Sequence, residues 1–331
     1  MLKANISSTV QILTDIWQRL LQAPVSPEDN FFEFGGDSAL AVQLFSEIAE
    51  ATGQQFPPVM IYHVPTIASL AALLEQRSSA KLSPLILLKN GTQGPPVFIA
   101  SGLGGGPAEF FQLVKHLHTP NAVFGLQPKG IEGFESPCDR IEDMADFYLK
   151  AVRRFQPNGP YILAGYSLGG LVTLEMARTL HSDGQKVALL VMIDSYPDIH
   201  SLSSGQFLKL LAQRGKRRVV TFGKPPRSDI RLGGLPGPDA ISTFAPAFER
   251  VRDAAYQALR RYKPHFYPQA VKFIRAAEVT DFPGNPKAVW SHLIPNLEVE
   301  TVPGDHLGML TRHYEELGGV LSRFLKGLET L

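Results

Sequence analysis

The stretch that decides the fold reads Tyr161-Ile162-Leu163-Ala164-Gly165-Tyr166-Ser167-Leu168-Gly169-Gly170. Its apolar first half predicts a buried strand, and the apolar residues over 171–180 predict a helix. Between them lies Gly-x-Ser-x-Gly, in the strand–turn–helix context that exposes a nucleophilic serine. A side chain at Gly165 or Gly169 would collide with the neighbouring strand or helix. The alternative is a tight turn with an incidental serine, but we predict Ser167 as a nucleophile at a helix N-terminus, where backbone N–H groups favour negative charge.

A serine hydroxyl needs a general base, and that base needs an acid to orient it. In sheet hydrolases these groups follow the serine in the order acid, then histidine. His306 comes directly after the last predicted strand and is the predicted base. Two residues are candidates for the acid: Asp194, which ends one predicted strand, and Asp281, which follows the next. An aspartate at the end of an apolar strand is costly to bury without a partner, which favours Asp194.

Strands alternate with helices from about residue 85 onward, which predicts a mainly parallel sheet covered by helices on both faces. The predicted strands are 96–100, 122–126, 161–166, 187–194, 271–276 and 297–302. The strand pattern lapses over 198–263, which we interpret as an insertion of helices and loops.

The last part such an enzyme needs is an oxyanion hole. One donor is expected to be the backbone N–H of Leu168, and the other should come from the loop after the first core strand, which reads Ser101-Gly102-Leu103-Gly104-Gly105-Gly106-Pro107. The loop does not complete Gly-x-Gly-x-x-Gly, because Pro107 occupies the sixth position, and no Gly-Lys-Ser/Thr follows. The sequence therefore does not favour nucleotide binding.

The segment before the sheet has helical apolar spacing. Three helices are predicted, over 10–21, 41–48 and 66–76, with Thr66 as an N-cap. We place a small helical domain at 6–77, a linker at 78–92 and the sheet domain at 93–331.

Composition narrows the class of protein. Of 331 residues, 44% are hydrophobic and 19% charged, with a formal net charge of +1, so neither nucleic acid nor membrane is an expected partner. Cys138 is the single cysteine, which excludes an internal disulfide and a cysteine metal cage, and no metal is expected. The N-terminus lacks the apolar core of a secretory signal, so a cytoplasmic location is expected.

Three segments together resemble the chain-terminating thioesterase domains of non-ribosomal peptide and polyketide synthases. They are the turn Gly165–Gly169, which we call the elbow, and the stretches Ile193-Asp194-Ser195 and Gly304-Asp305-His306. The resemblance implies an α/β-hydrolase fold with a helical lid at 198–263. It also favours Asp194 over Asp281 as the acid. Matching the family's oxyanion loop points to Leu103 N–H as the second donor.

The front segment resembles a peptidyl carrier protein, through Asp29-Asn30-Phe31-Phe32-Glu33-Phe34-Gly35-Gly36-Asp37-Ser38. The resemblance implies 4′-phosphopantetheine on Ser38, attached by a phosphopantetheinyl transferase, at a helix N-terminus that suits a phosphate. A plain N-cap is the alternative role for Ser38. Ala39 departs from the family, which usually has a larger apolar residue there.

The expected function is release of an acyl or peptidyl chain from the phosphopantetheine thioester, by hydrolysis or cyclisation through an acyl-Ser167 intermediate. The cargo is expected from an upstream synthase module or loading enzyme. Three alternatives stay open: a proofreading thioesterase, a general esterase with an interaction module, and a release domain that forms carbon–carbon bonds. The acyl chain and the oligomeric state are not predicted.

Overall fold

The computed structural model describes residues 2–36, 38–54, 56, 58–62, 64–76, 83–132, 135–198, 245–278 and 285–328. The chain divides into two compact units, the first built on residues 1–83 and the second beginning at Pro84. Most of the predicted lid, residues 199–244, lies outside the described part. Within the described ranges, no helix is both long enough and apolar enough to cross a membrane.

The first unit is a small helical bundle. Its elements are α1 (Leu2–Leu21), α2 (Ser38–Thr52), a 3-10 helix (Pro58–Tyr62) and α3 (Ile67–Gln76). The apolar faces predicted from the sequence meet in one core, which includes the fully buried Leu13, Trp17, Phe31, Leu44, Ile48 and Leu70. The Oγ1 of Thr66 accepts the N–H of Ser69 at 3.1 Å, so Thr66 caps α3 as predicted.

The second unit contains a seven-stranded sheet in the order β1-β3-β2-β4-β5-β6-β7. The strands are β1 (Leu85–Lys89), β2 (Val97–Ala100), β3 (Val123–Leu126), β4 (Tyr161–Tyr166), β5 (Val187–Ile193), β6 (Val271–Ala276) and β7 (Leu297–Val302). All neighbouring pairs are parallel except β1 with β3. The six predicted strands are confirmed, each to within one residue at either end.

The predicted linker at 78–92 is wrong over the five residues of β1. This strand pairs antiparallel with β3, with Leu85 opposite Leu126. The segment lacks the alternation with helices that marks the other strands, because β1 has no crossover helix before β2. Its strand conformation depends on hydrogen bonds to a partner about forty residues away, which local sequence does not display.

Helices cover both faces of the sheet. One face carries α5 (Ile141–Phe155), α6 (Leu168–Ser182), α7 (Ala245–Arg261) and α8 (Pro286–Trp290), and the other carries α4 (Phe111–Lys115), α9 (Gly308–Thr311) and α10 (Tyr314–Lys326). This is the α/β-hydrolase arrangement that the sequence predicted. Strand β4 lies at the centre of the sheet, between β2 and β5, so the loop that follows it is surrounded by the ends of neighbouring strands.

Candidate active site

Ser167 occupies the sharp turn between β4 and α6. Its backbone has φ +54° and ψ −119°, a conformation that residues other than glycine rarely adopt. A Cβ on Gly165 would lie 2.2 Å from the carbonyl oxygen of Gly169, and a Cβ on Gly169 would lie 2.2 Å from that of Ala100. The two flanking glycines are therefore required by close backbone contact, for the reason that the sequence suggested.

Asp194 follows the last residue of β5 and also has a left-handed backbone, with φ +45°. Among the described residues, Gln22 is the only other non-glycine besides Ser167 with a positive φ. The N–H of Asp194 donates to the Ile274 carbonyl at 2.7 Å, and its Oδ1 accepts the N–H of Ala276 at 3.2 Å. Its relative exposure is 3%, so this carboxyl group is held in one orientation by neighbouring β6.

His306 brings these two residues together. Its Nδ1 lies 2.8 Å from Asp194 Oδ2, and its Nε2 lies 3.1 Å from Ser167 Oγ. Both distances are within hydrogen-bond range, although 139 residues separate the histidine from the serine. In this geometry Nδ1–H can donate to the carboxylate while Nε2 accepts the serine proton. Asp281, the other candidate acid, lies outside the described residues.

The His306 loop is fixed by the residue before the serine. The Tyr166 ring stacks on the imidazole, with ring centroids 4.8 Å apart and planes inclined by 22°. Its phenol donates to the carbonyl oxygen of His306 at 2.7 Å. Burial raises the pKa of Tyr166, and the charges of Glu109, Asp194 and Asp305 raise it further, so the phenol stays a donor at any ordinary pH.

Two backbone segments with predicted oxyanion donors lie next to Ser167. Leu168 is the first residue of α6, so its N–H has no acceptor within the helix. Leu103 belongs to the loop after β2, next to Gly102. A Cβ on Gly102 would lie 3.1 Å from the Tyr166 ring and 3.4 Å from the Cβ of Ser167, so this loop passes directly beside the elbow.

An apolar cleft adjoins the same loop. It is lined by Gly102, Gly104, Leu168 and Val172, together with side chains of α5 and α7. Those side chains are Met144, Phe147, Tyr148, Val251 and Ala255. The first turn of α6 therefore has His306 and Asp194 nearby and an apolar surface next to it.

The contacts of two residues at this site, Tyr166 and Glu109, were not predicted from the sequence. Tyr166 stands inside the quoted motif, but its contacts with His306 depend on a loop 140 residues away. Glu109 contacts the loop of Leu103, accepting the N–H of Gly102 at 3.3 Å. A lone glutamate shortly after a glycine-rich loop was the only available hint.

In the first unit, Ser38 is the first residue of the 15-residue helix α2. The hydrogen bonds of the preceding turn include Phe32 N–H to Asn30 Oδ1 at 3.0 Å and Gly36 N–H to the Phe31 carbonyl at 2.9 Å. A serine at the start of a helix offers a hydroxyl for a phosphodiester, beside backbone N–H groups that favour the phosphate charge. The residues present therefore fit a phosphopantetheine group.

Comparison with known families decides the assignment. The model of the thioesterase domain matches residues 95–325. This chain belongs to the thioesterase family. A second model, of the phosphopantetheine attachment site, matches residues 11–74. The thioesterase domain thus follows a carrier domain, as the two resemblances implied.

Curated relatives of this thioesterase are much longer proteins. The dimodular nonribosomal peptide synthase of Bacillus subtilis (strain 168) is 40% identical over 190 residues, which is 57% of this chain and 8% of that synthase. Malpibaldin synthetase of Mortierella alpina is 32% identical over 279 residues, covering 82% of this chain and 5% of that synthetase. The chain therefore spans less than a tenth of the length of either relative.

Solved structures share the fold at low sequence identity. A four-domain nonribosomal peptide synthetase aligns over 98% of this chain and 26% of its own, with a TM-score of 0.59 and 23% identity. The NocB thioesterase domain aligns over 71% of this chain and 96% of its own, with a TM-score of 0.52 and 22% identity. Both support the α/β-hydrolase architecture described above.

Proposed function

We propose that this chain releases an acyl or peptidyl chain from a carrier-bound thioester, through a covalent acyl-Ser167 intermediate. The observation that carries the proposal is the 3.1 Å contact between Ser167 Oγ and His306 Nε2, in a thioesterase domain joined to a carrier domain. A serine beside a histidine base is what attack on a thioester carbonyl requires.

The proposed chemistry follows the hydrogen bonds. His306 Nε2 takes the proton of Ser167 Oγ as the oxygen attacks the thioester carbonyl carbon. Asp194 holds Nδ1–H, which fixes the neutral tautomer and then stabilises the imidazolium. The C–S bond breaks, and the departing thiolate takes the proton from His306. Water, or a nucleophile of the chain being released, then cleaves the acyl ester by the same proton transfers.

Backbone groups stabilise the charge in this proposal. The N–H groups of Leu103 and Leu168 would bind the oxyanion that forms on the carbonyl oxygen. Each such donor typically accounts for about 10²–10³ in kcat. The apolar cleft beside them would hold the apolar part of the acyl chain nearest to the carbonyl.

Ser38 is the proposed attachment residue of 4′-phosphopantetheine, whose thiol, when the group is present, holds the acyl chain as a thioester. A phosphopantetheinyl transferase would modify Ser38. An upstream synthetase module or loading enzyme would supply the cargo, since the curated relatives are multidomain synthetases. We propose a cytoplasmic location for these steps. Release is favoured over proofreading because the carrier domain is part of the same chain.

The test uses intact-protein mass spectrometry of the full chain. A phosphopantetheinyl transferase and butyryl-coenzyme A would load Ser38, and loss of the butyryl mass would follow release. Wild-type protein should lose the acyl group, whereas Ser167→Ala should gain the acyl-phosphopantetheine mass and keep it. Turnover by Ser167→Ala equal to wild type contradicts the mechanism.

A matched variant separates the two domains. Ser38→Ala should gain no mass, yet it should still hydrolyse a soluble butyryl-N-acetylcysteamine thioester. If the wild-type chain also gains no mass while remaining active on the soluble thioester, a general esterase with an interaction module is the better assignment.

A further inference from the structure

Glu109 lies in a short 3-10 helix (Pro107–Phe110), and its side chain folds back beneath the loop that follows β2. Its Oε2 accepts the N–H of Gly102 at 3.3 Å. A Cβ on Gly105 would lie only 1.5 Å from its Oε1, so the carboxyl group lies directly against the backbone of Gly105. The carboxyl group therefore contacts both ends of the Gly102–Gly105 segment.

The segment held in this way is the one that carries Leu103. Gly102 packs against the Tyr166 ring and the Cβ of Ser167 on the elbow side. The N–H of Gly105 also donates to the carbonyl of Gly102 at 3.1 Å, which closes a tight turn around Leu103. Loss of the carboxyl group would remove its contacts with both ends of this turn.

We propose that Glu109 is a positioning residue of the oxyanion loop: its carboxyl group accepts the Gly102 N–H and keeps the N–H of Leu103 directed at the thioester carbonyl. The inference rests on the proposed function of Leu103 and deepens it. Glu109 touches neither substrate nor reacting atoms in this role; it acts through the loop.

Burial favours the neutral form of Glu109. Burial raises the pKa of Glu109 to about 7, and the Gly102 N–H lowers it by a smaller amount. The carboxyl group interacts with the phenol of Tyr166, which also interacts with Asp194 and Asp305, both acidic. On α7, the Arg252 side chain lies near Gly104, and its guanidinium pairs with Asp253. An oxyanion nearby would add negative charge, so an ionised Glu109 would oppose the transition state.

The first experiment separates the hydrogen bond from the space that the side chain fills. In the full chain, hydrolysis of butyryl-N-acetylcysteamine would be measured for Glu109→Leu and Glu109→Gln. Leucine fills similar volume without an acceptor, and kcat should fall about tenfold or more while KM stays within about twofold. Glutamine keeps an acceptor and should hold kcat within about twofold of wild type at pH 6. Equal kcat for Glu109→Leu and wild type overturns the proposal. A kcat for Glu109→Gln that is no higher than that for Glu109→Leu also overturns it.

The pH dependence of kcat distinguishes the proposed role from a purely structural one, which would not make kcat depend on the ionisation of Glu109. The ratio of kcat for Glu109→Gln to wild type cancels the effects of pH that both proteins share. It should rise several-fold from pH 6 to pH 8.5, because wild-type Glu109 ionises over this range and glutamine does not. A ratio that stays flat or falls overturns the proposal.

Two neighbouring glycines give a matched pair. Gly105→Ala places a Cβ where the carboxyl group lies, so it should lower kcat as Glu109→Leu does, and the double variant should lower it little further. A Cβ on Gly106 meets nothing within 4 Å, so Gly106→Ala should lower kcat much less. Equal effects of the two alanines, or full additivity of Gly105→Ala with Glu109→Leu, overturns the proposal.

A buried carboxyl elsewhere in the domain controls for stability. Glu175 on α6 binds Arg178 Nη1 at 2.5 Å and the Tyr262 hydroxyl at 3.0 Å. Glu175→Gln should lower the thermal midpoint without the pH-dependent change in kcat. Failure of the Glu109 predictions while Ser167→Ala is inactive would leave the proposed function standing, whereas an active Ser167→Ala would remove both.

Discussion

The phenol of Tyr166 donates a hydrogen bond to the carbonyl oxygen of His306 at 2.7 Å, and the two rings stack with centroids 4.8 Å apart. The residue immediately before the proposed nucleophile thus supports the proposed base through both its ring and its hydroxyl. The serine and the histidine are therefore both next to Tyr166, although 139 residues separate them in the sequence.

Replacing Tyr166 by phenylalanine should keep the stacking and remove the hydrogen bond. The His306 carbonyl then loses its donor, and the histidine loop gains freedom, so kcat should fall about three- to tenfold with a small change in KM. Tyr161→Phe is the matched control at the other end of β4, where the hydroxyl donates to the Gln156 carbonyl at 2.9 Å. Tyr161→Phe should lower the thermal midpoint without lowering kcat. Steady-state hydrolysis of a soluble acyl thioester measures both, and equal kcat for the two variants would contradict this role for Tyr166.

Asp194→Asn should lower kcat by about 10³–10⁴ with little loss of folded protein. Asp194 Oδ1 accepts the N–H of Ala276, so an asparagine would keep its oxygen there and turn its NH₂ group toward His306 Nδ1. His306 would then carry its proton on Nε2, where it cannot accept the proton of Ser167. Asp281→Asn, the other candidate from the sequence, should lower kcat less than tenfold. The assignment of the acid fails if the two variants show the reverse order.

Glu109→Gln should change how stability depends on pH. The pKa of Glu109 is about 7 in the folded protein and near its ordinary 4.5 when unfolded. Between these values the folded state holds a proton that the unfolded state has released, so rising pH destabilises wild type. Relative to the glutamine variant, wild type should lose about 2–3 kcal/mol of unfolding free energy between pH 4.5 and pH 7. Urea unfolding of both proteins at pH 5 and pH 8 measures the difference, and parallel changes would argue against a raised pKa.

Neighbouring glycines of α10 should respond to alanine in opposite directions. A Cβ on Gly319 meets nothing within 4 Å, so Gly319→Ala should stabilise the domain by about 0.5–1 kcal/mol through helix propensity. A Cβ on Gly318 would lie 2.8 Å from the carbonyl oxygen of His116, so Gly318→Ala should destabilise it by about 1–3 kcal/mol. Urea unfolding of the full chain, compared with wild type, gives both values. Stabilisation by both alanines would contradict the packing of α10 on the segment after α4.

The elbow could be predicted because its requirements are local. A sharp turn from strand to helix leaves no room for a Cβ on the residues that flank Ser167. Both positions are glycine, and they lie within two residues of the serine in the sequence. The same applies to the six parallel strands, whose apolar runs alternate with helices. The attachment motif before Ser38 is also contiguous, and family comparison supports the carrier domain to which it belongs.

Pairing between distant segments could not be predicted in this way. The sequence alone nominated both Asp194 and Asp281, and only folding places Asp194 Oδ2 at 2.8 Å from His306. Strand β1 lies within the predicted linker, because its strand conformation depends on hydrogen bonds to β3 and not on its local sequence. The role of Glu109 could not be predicted, because it depends on the 3.3 Å hydrogen bond from Gly102 N–H to Glu109 Oε2. That bond forms only when the fold brings the loop next to Ser167.

The sequence by itself determined the fold class, the two-domain order and the turn that holds the candidate nucleophile, because backbone sterics and apolar periodicity act over a few neighbouring residues. The tertiary structure decided which side chains support that nucleophile. Hydrogen bonds and stacking depend on separations of a few ångströms, and residues as far apart along the chain as Tyr166 and His306 reach such separations only when the sheet assembles.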